Sequence, residues 1–194
     1  LIYQHRMHQE ISNTPAHLFY KRLENGPKVN ETGMDYYVKG FKGQHNIWID
    51  CSGRDWNNVN ETEIDEIEKH LKDFVGWAKK HPRENGEEYT VIVLTFYLAQ
   101  SNKMKERLDL IKKDARGTVR IKIATVDYIQ GQEADVVFLS MVRNYKVGFM
   151  DTPNRLNVAI TRAKHLLVFV GNKQFFSECK SIELNKIVEG CDVY

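Results

Sequence analysis

The sequence predicts an α/β fold, a parallel sheet with helices on both faces. Two observations carry that expectation. Strand-like and helix-like segments alternate through the middle and end of the chain. The strand-like segments are nearly continuous apolar runs, the pattern of strands buried on both sides. The 194 residues fit one compact domain.

Residues 44–50 hold Ile47, Trp48 and Ile49 and read as a short buried strand. Asn60 then has the marks of a helix cap, with Glu63 three residues on and Val59 and Ile64 placed as a hydrophobic staple. Ile64, Ile67, Leu71, Phe74, Val75 and Ala78 follow helical spacing. Acids (Glu61, Glu63, Asp65, Glu66) crowd the start of this helix and Lys79 and Lys80 its end, as the helix dipole favours, with Pro82 just beyond. Residues 89–94 form a β-branched strand, and 98–114 a helix with Met104, Leu108 and Ile111 on one face. Strands are expected at 119–126, 136–142 and 165–170, a helix at 154–164, and a return to helix from Lys173. Residues 23–43, rich in Gly, Lys and polar side chains, read as a hairpin or loop. Ligands of open α/β sheets sit beyond the carboxyl ends of the strands. Polar residues stand at three such ends, Thr95, 125–133 and Gly171-Asn172, so one functional edge is expected.

Hydrophobic content of 42% and charged content of 28% are those of a soluble globular chain. The longest apolar run, 166–170, is far too short to span a bilayer. No signal peptide is visible, and the start at Leu1-Ile2-Tyr3 without Met reads as a piece of a longer chain. A net charge of +2 excludes wrapping duplex DNA by charge alone, so nucleic-acid contact should be local. Cys51, Cys179 and Cys191 form no C-x-x-C pair and read as reduced thiols, which places the protein in the cytoplasm, or the nucleus of a eukaryote. His5 and His8 find no further ligands at zinc-type spacing, so no metal site is expected.

Three clusters hold the chemistry. The first is Gln4-His5-Arg6-Met7-His8. The second runs from Thr125 to Asp135 (TVDYIQGQEAD) and on to Ser140-Met141-Val142-Arg143. The third is Arg155 to Lys164 (RLNVAITRAK). On a helix turning about 100° per residue, Arg155 and Arg162 fall two turns apart on nearly one face. Such a pair presents two guanidinium forks to phosphate oxygens, or else forms two ordinary surface ion pairs. In the second cluster Gly131 permits a tight turn or close approach to a ligand. Glu133 can accept from ribose hydroxyls or pair with an Arg, and Thr125 can donate to a phosphate. The plain alternative is a solvent-facing strand connection.

Together and in order, the clusters resemble motifs IV, V and VI of superfamily 1 helicases of the UPF-like, 1B group. The family versions read close to Q-Y-R-M-H-P, S-V-D-x-F-Q-G-x-E-x-D and R-L-N-V-A-L-T-R-A. Residues 91–100 (VIVLTFYLAQ) also resemble the family's I-T-P-Y-x-x-Q. The resemblance runs from Gln4 to about Asn172 and implies the second, C-terminal RecA-like motor domain, a P-loop NTPase fold, over 1–194. It implies that Arg6 and Arg162 are arginine fingers reaching the γ-phosphate of ATP, that His5, Gly131 and Glu133 face the nucleotide, and that Thr95, Tyr97 and Thr125 hold the sugar-phosphate backbone of a single strand. Gln4, Arg143 and Arg155 are supporting residues, the two arginines equally readable as structural ion pairs. His5 stands where the family has a Tyr that stacks on adenine, and an imidazole offers less area. Gln9 and Phe96 replace family prolines.

No G-x-x-x-x-G-K-[ST] occurs, and no Asp-Glu pair follows an apolar strand. By resemblance, those parts belong to a first RecA-like domain upstream of Leu1, which would hold most of the ATP and magnesium. The isolated chain should therefore be inactive. About 115 residues separate His8 from Thr125, which leaves no room for the extra domain of UvrD-type helicases and favours the 1B branch, which by resemblance implies 5′-to-3′ movement. Expected partners are single-stranded DNA or RNA and the first motor domain, with no membrane. The alternative is a degenerate, non-catalytic module that binds nucleic acid or protein, against which stand the retained Arg6 and Arg162.

Overall fold

In the computed structural model, which describes residues 3–20, 22–31, 33–38, 43–148, 150 and 152–194, the chain opens with β1 (Tyr3–Gln4), α1 (Gln9–Leu18) and β2 (Glu24–Asn25), β1 and β2 pairing in parallel. Then follow β3 (Asn46–Asp50), α2 (Glu61–Lys80), β4 (Tyr89–Thr95), α3 (Leu98–Arg107), α4 (Asp109–Asp114) and β5 (Val119–Thr125). The remainder is β6 (Ala134–Ser140), α5 (Pro153–Ile160), β7 (Ala163–Gly171), α6 (Lys173–Glu178), α7 (Ile182–Glu189) and β8 (Asp192–Val193). Six strands form one all-parallel sheet in the order β5-β4-β6-β7-β3-β8.

The continuous apolar strands are explained by two cores. Successive side chains alternate faces, so Ile47, Ile49, Val91, Val93, Val136, Phe138 and Val168 join one core with the apolar stripe of α2 and with Met104, Leu108 and Ile111. Trp48, Ile92, Leu94, Val137, Leu139, Leu167 and Phe169 join the other, with Ile11 of α1, Leu156 and Ile160 of α5, Phe176 of α6 and Leu184 of α7. Among the described residues, no helix is long and apolar enough to cross a membrane.

Four expectations change. The helix expected over 98–114 breaks at fully buried Leu108, which ends α3 and precedes α4. The helix expected over 154–164 stops at Ile160: Thr161 Oγ1 turns back onto the Asn157 carbonyl at 2.8 Å, and Ala163 already pairs with Ala134 in the sheet. The segment from Lys173 is two short helices and a final strand. The Asn60 cap is half a capping box, since Asn60 Oδ1 accepts the Glu63 N–H at 3.3 Å but Gln100 Oε1, not Glu63, accepts the Asn60 N–H at 2.9 Å. Of 23–43, the described residues include β2; residues 32 and 39–42, like Leu1 and Ile2 at the chain start, lie outside the described residues.

Register defines two edges. Thr95 pairs with Thr125 and Ser140 at the carboxyl edge, while Ala134 pairs with Ala163 at the amino edge. The connection 126–133, beginning with one 3-10 turn at Val126–Tyr128, carries the chain from one edge to the other. Six strand steps separate these edges along β5, about 20 Å.

Candidate functional site

At the amino edge, the Gln4 side chain shapes the turn after β1. Its Oε1 accepts from the Arg6 and Met7 N–H groups at 2.9 and 2.8 Å, and its Nε2 donates to the Met7 carbonyl and to Asn25 Oδ1. The His8 N–H donates to the Lys164 carbonyl at 2.6 Å, pinning this turn against the start of β7. Arg6 Nε pairs with the Glu133 carboxylate, and Arg6 Nη1 donates to the Thr161 carbonyl at 3.2 Å. The other Glu133 oxygen accepts from Lys164 Nζ at 2.9 Å. Burial works to raise the Glu133 pKa, but the bonds and charges of Lys164 and Arg6 outweigh it and hold the carboxyl below its ordinary range.

Arg162 lies beside them, buried. Its Nε donates to the Val158 carbonyl at 2.9 Å, Nη1 to the Gln132 carbonyl at 3.0 Å and Nη2 to Thr161 Oγ1 at 3.0 Å. At least three of its five N–H donors are therefore engaged, and the guanidinium is aimed before any ligand arrives. Burial, and next the charge of Arg6, lowers its pKa, and Glu133 opposes them. Arg6, Arg162, Lys164, Glu133 and His5 line one open cleft of about 770 Å³, within the usual range for ligand pockets. His5 is exposed, and its ring lies so close to Gly26 that a Cβ there would fall 2.0 Å from Nδ1. Gly131 is not among the lining residues, and its φ is +80°. Lys164 had no role in the sequence reading. Its signal was its place two residues past Arg162.

The other site residues lie at the carboxyl edge. Thr95 and Thr125 are buried, and Thr95 Oγ1 accepts from the Tyr97 N–H at 3.4 Å. The Tyr97 hydroxyl accepts from Arg143 Nε at 2.9 Å and donates to the Val147 carbonyl at 3.4 Å, with the guanidinium 4.5 Å over its ring. Arg143 Nη1 also pairs with Asp55 at 2.7 Å. Arg155 makes a two-pronged pair with Asp127, Nε to Oδ1 at 2.9 Å and Nη2 to Oδ2. The site residues expected from the sequence thus divide between the two edges of the sheet, with Thr95, Tyr97 and Thr125 at the carboxyl edge and Arg6, Glu133 and Arg162 at the amino edge. Arg155 and Arg162 do not point together, because the helix ends between them and each goes to its own edge.

The structure pairs His8 not with His5 but with His45, the rings stacked at 3.6 Å and 19°. With Glu10 their ligand atoms lie within 4.8 Å of one another. A ring nitrogen's lone pair lies in its ring plane, so near-parallel stacked rings do not converge on one ion. His8 Nδ1 accepts from the Glu10 N–H, His45 Nδ1 meets the His165 carbonyl at 2.6 Å, and Glu10 Oε2 accepts from the His45 N–H. Burial, then His45, pulls the His8 pKa down to about 4.

Comparison with known proteins identifies the family. A family model described as an AAA domain matches residues 1–174. DNA polymerase alpha-associated DNA helicase A of Saccharomyces cerevisiae is 30% identical over 97% of this chain and 30% of its own length. Helicase sen1 of Schizosaccharomyces pombe is 33% identical over 88% of this chain and 10% of its own. The Neurospora crassa homolog of regulator of nonsense transcripts 1 is 34% identical over 87% of this chain and 16% of its own. The chain thus spans less than a third of the length of these relatives. The crystal structure of the C-terminal domain of a possible DNA helicase from a Lactobacillus shares the fold, with a TM-score of 0.55, 13% identity and 98% of both chains covered. The chain belongs to this AAA-domain family, the C-terminal motor domain of UPF-like superfamily 1 helicases.

Proposed function

We propose that this chain is the second RecA-like half of an ATP-driven helicase or translocase that moves 5′-to-3′ along single-stranded DNA or RNA. The observation that carries this reading is the convergence of Arg6, Arg162 and Lys164 around Glu133 in one open cleft. Three cations about a carboxylate that is already paired twice suit phosphate oxygens and not a magnesium ion. The ion is accordingly assigned, with most of the ATP, to a first RecA-like domain elsewhere in the parent protein. Magnesium there would neutralise charge on the phosphates. In this half, Arg6 is held by Glu133 until a γ-phosphate competes for its guanidinium, while Lys164 stays behind to satisfy the carboxylate. Arg162, already aimed by its backbone bonds, meets the charge that shifts in the transition state. The connection 126–133 starts beside Thr125 and ends at Glu133, so a strand at one edge and a nucleotide at the other pull on the same eight residues. Domain closure around ATP then moves both edges together.

In the full-length protein, single strands should stimulate ATP hydrolysis and a 5′-tailed duplex should be unwound in preference to a 3′-tailed one. The 194-residue chain alone should hydrolyse ATP negligibly. Turnover by the chain alone that survives repeated purification, or unwinding only from 3′ tails, would overturn the reading.

A further inference from the structure

Beyond the residues already discussed, the carboxyl edge holds an exposed tryptophan on a built turn. Trp56 and Val59 exchange backbone hydrogen bonds of 2.8 and 2.9 Å, and Asn57 and Asn58 between them have φ of +50° and +63°. Two positive φ values in a two-residue turn mark a type I′ hairpin, which Asn tolerates. The tip is tied down on both sides. Val59 leads directly into the Asn60 cap, whose Nδ2 donates to the Gly53 and Val142 carbonyls at 3.2 and 3.1 Å. Asp55, next to Trp56, is buried against Arg143, and the Asn144 side chain donates to the Gly53 carbonyl.

On this anchored base Trp56 is 66% exposed, and the Arg54 guanidinium lies 5.5 Å from its ring centre. Tyr145, 63% exposed, stands on the segment that Arg143 and Asn144 tie to the same loop, with Arg143 5.9 Å from its ring. Residues 51–60 and 143–147 carry three basic side chains, Arg54, Arg143 and Lys146, against one acid, Asp55, which Arg143 already neutralises. A solvent-exposed indole costs free energy in water and wins nothing for the core. Held on a tied-down turn beside the Arg54 guanidinium, it is preordered for a flat, anionic partner.

We propose that Trp56, with Tyr145 on the segment tied to the same loop, is a base-stacking platform for single-stranded nucleic acid at the carboxyl edge. Flat rings accept any base by its face, and Arg54 and Lys146 meet the phosphates that flank it. The platform rests on the reading of the chain as part of a single-strand motor, and it adds to that reading a contact to bases where the resemblance implies contacts to sugar and phosphate alone. Because stacking does not depend on counterion release, part of the affinity should persist as salt rises.

The test uses the full-length protein, without ATP, and two labelled oligomers: a thymine-bearing strand and an abasic strand of the same length. Trp56→Ala should bind the thymine strand about tenfold more weakly and the abasic strand as wild type does. Trp56→Phe should keep most of the affinity, and Trp56→Leu, which keeps apolar bulk without a ring face, should lose it even if the Ala variant proves unstable. Wild-type tryptophan fluorescence should be quenched by the thymine strand and hardly by the abasic one, and Trp56→Phe should lose that quench. Equal affinity of Trp56→Ala and wild type for the thymine strand overturns the platform and leaves Trp56 to a protein partner. An equal loss on both strands overturns it too, since the effect is then not on bases. Strand-stimulated hydrolysis measured alongside separates the two readings: if wild type is stimulated, only the platform has failed, and if it neither binds nor responds to strands, the motor reading has failed with it.

Discussion

Glu63 shows how much one side chain can be asked to hold. It is fully buried at the start of α2, where its spacing from Asn60 suggests a capping box, yet its carboxylate turns to the end of β6. There it accepts from Ser140 Oγ at 2.6 Å and from the Val142 N–H at 2.9 and 2.8 Å. Val142 has φ of +67°, a conformation that costs a β-branched residue about 1–2 kcal/mol. The bonds to Glu63 offset that strain and set the direction in which Arg143 leaves the sheet. Burial raises the Glu63 pKa from an ordinary 4.5 to about 8, against the pull of its hydrogen bonds. Between those values the native state keeps a proton that the unfolded chain has released, so this group's contribution to stability falls as pH rises from about 4.5 to about 8. Glu63→Gln keeps the shape and can donate to Ser140 without ionising. Its unfolding free energy, measured by urea titration from pH 5 to 8.5, should lose that downward slope and at least match wild type at the alkaline end. Because a strained N–H is left unpaired, Glu63→Ala should lose about 2–3 kcal/mol at pH 5, where the native carboxyl is neutral, and less as pH rises. A Gln variant with the wild-type slope would show that another group titrates.

At the scale of elements, legibility followed the strength of the local pattern. The buried strands could be read because both faces are apolar, and α2 because cap, staple, stripe and charge gradient agree over twenty residues. The end of α5 could not: Leu156, Ala159, Ile160 and Ala163 keep helical spacing straight through the point where the chain leaves the helix. Helix α1 escaped because Pro15 lies inside it, and β1, β2 and β8, two residues each, are too short to carry a period. Gly131, which the sequence left as a tight turn or a close approach to a ligand, has a positive φ in the structure, with no heavy atom within 4 Å of an added Cβ. Any cost of Gly131→Ala is therefore backbone strain, about 1–2 kcal/mol. The same shift moves the Gln132 carbonyl that aims Arg162. Calorimetry should find a modestly lower melting temperature, and full-length kinetics a fall in ATP turnover larger than any loss of strand affinity. The opposite order of effects would place Gly131 in the strand contact and not in the link to the cleft.

Seen whole, the molecule works because its topology joins what the chain separates. Arg6 and Thr161 touch across 155 positions, since β7 lies inside the sheet and the turn after β1 is pinned to its start. No local pattern announces such a meeting; the geometry sets Glu133, which the resemblance already implied to face the nucleotide, between Arg6 and Lys164. The account stands on Arg162. Replacing it with Ala in the full-length protein removes three bonds as well as a charge, so hydrolysis must be compared per folded molecule, with the melting temperature measured beside it. Single-turnover hydrolysis at saturating strand should fall by about three to five powers of ten. ATP binding should change less than about tenfold, or roughly 1.4 kcal/mol. Arg162→Lys should recover little, because a point charge lacks the guanidinium fork. Normal turnover in the folded Ala variant, with only its melting temperature lowered, would make Arg162 a structural residue and contradict the account.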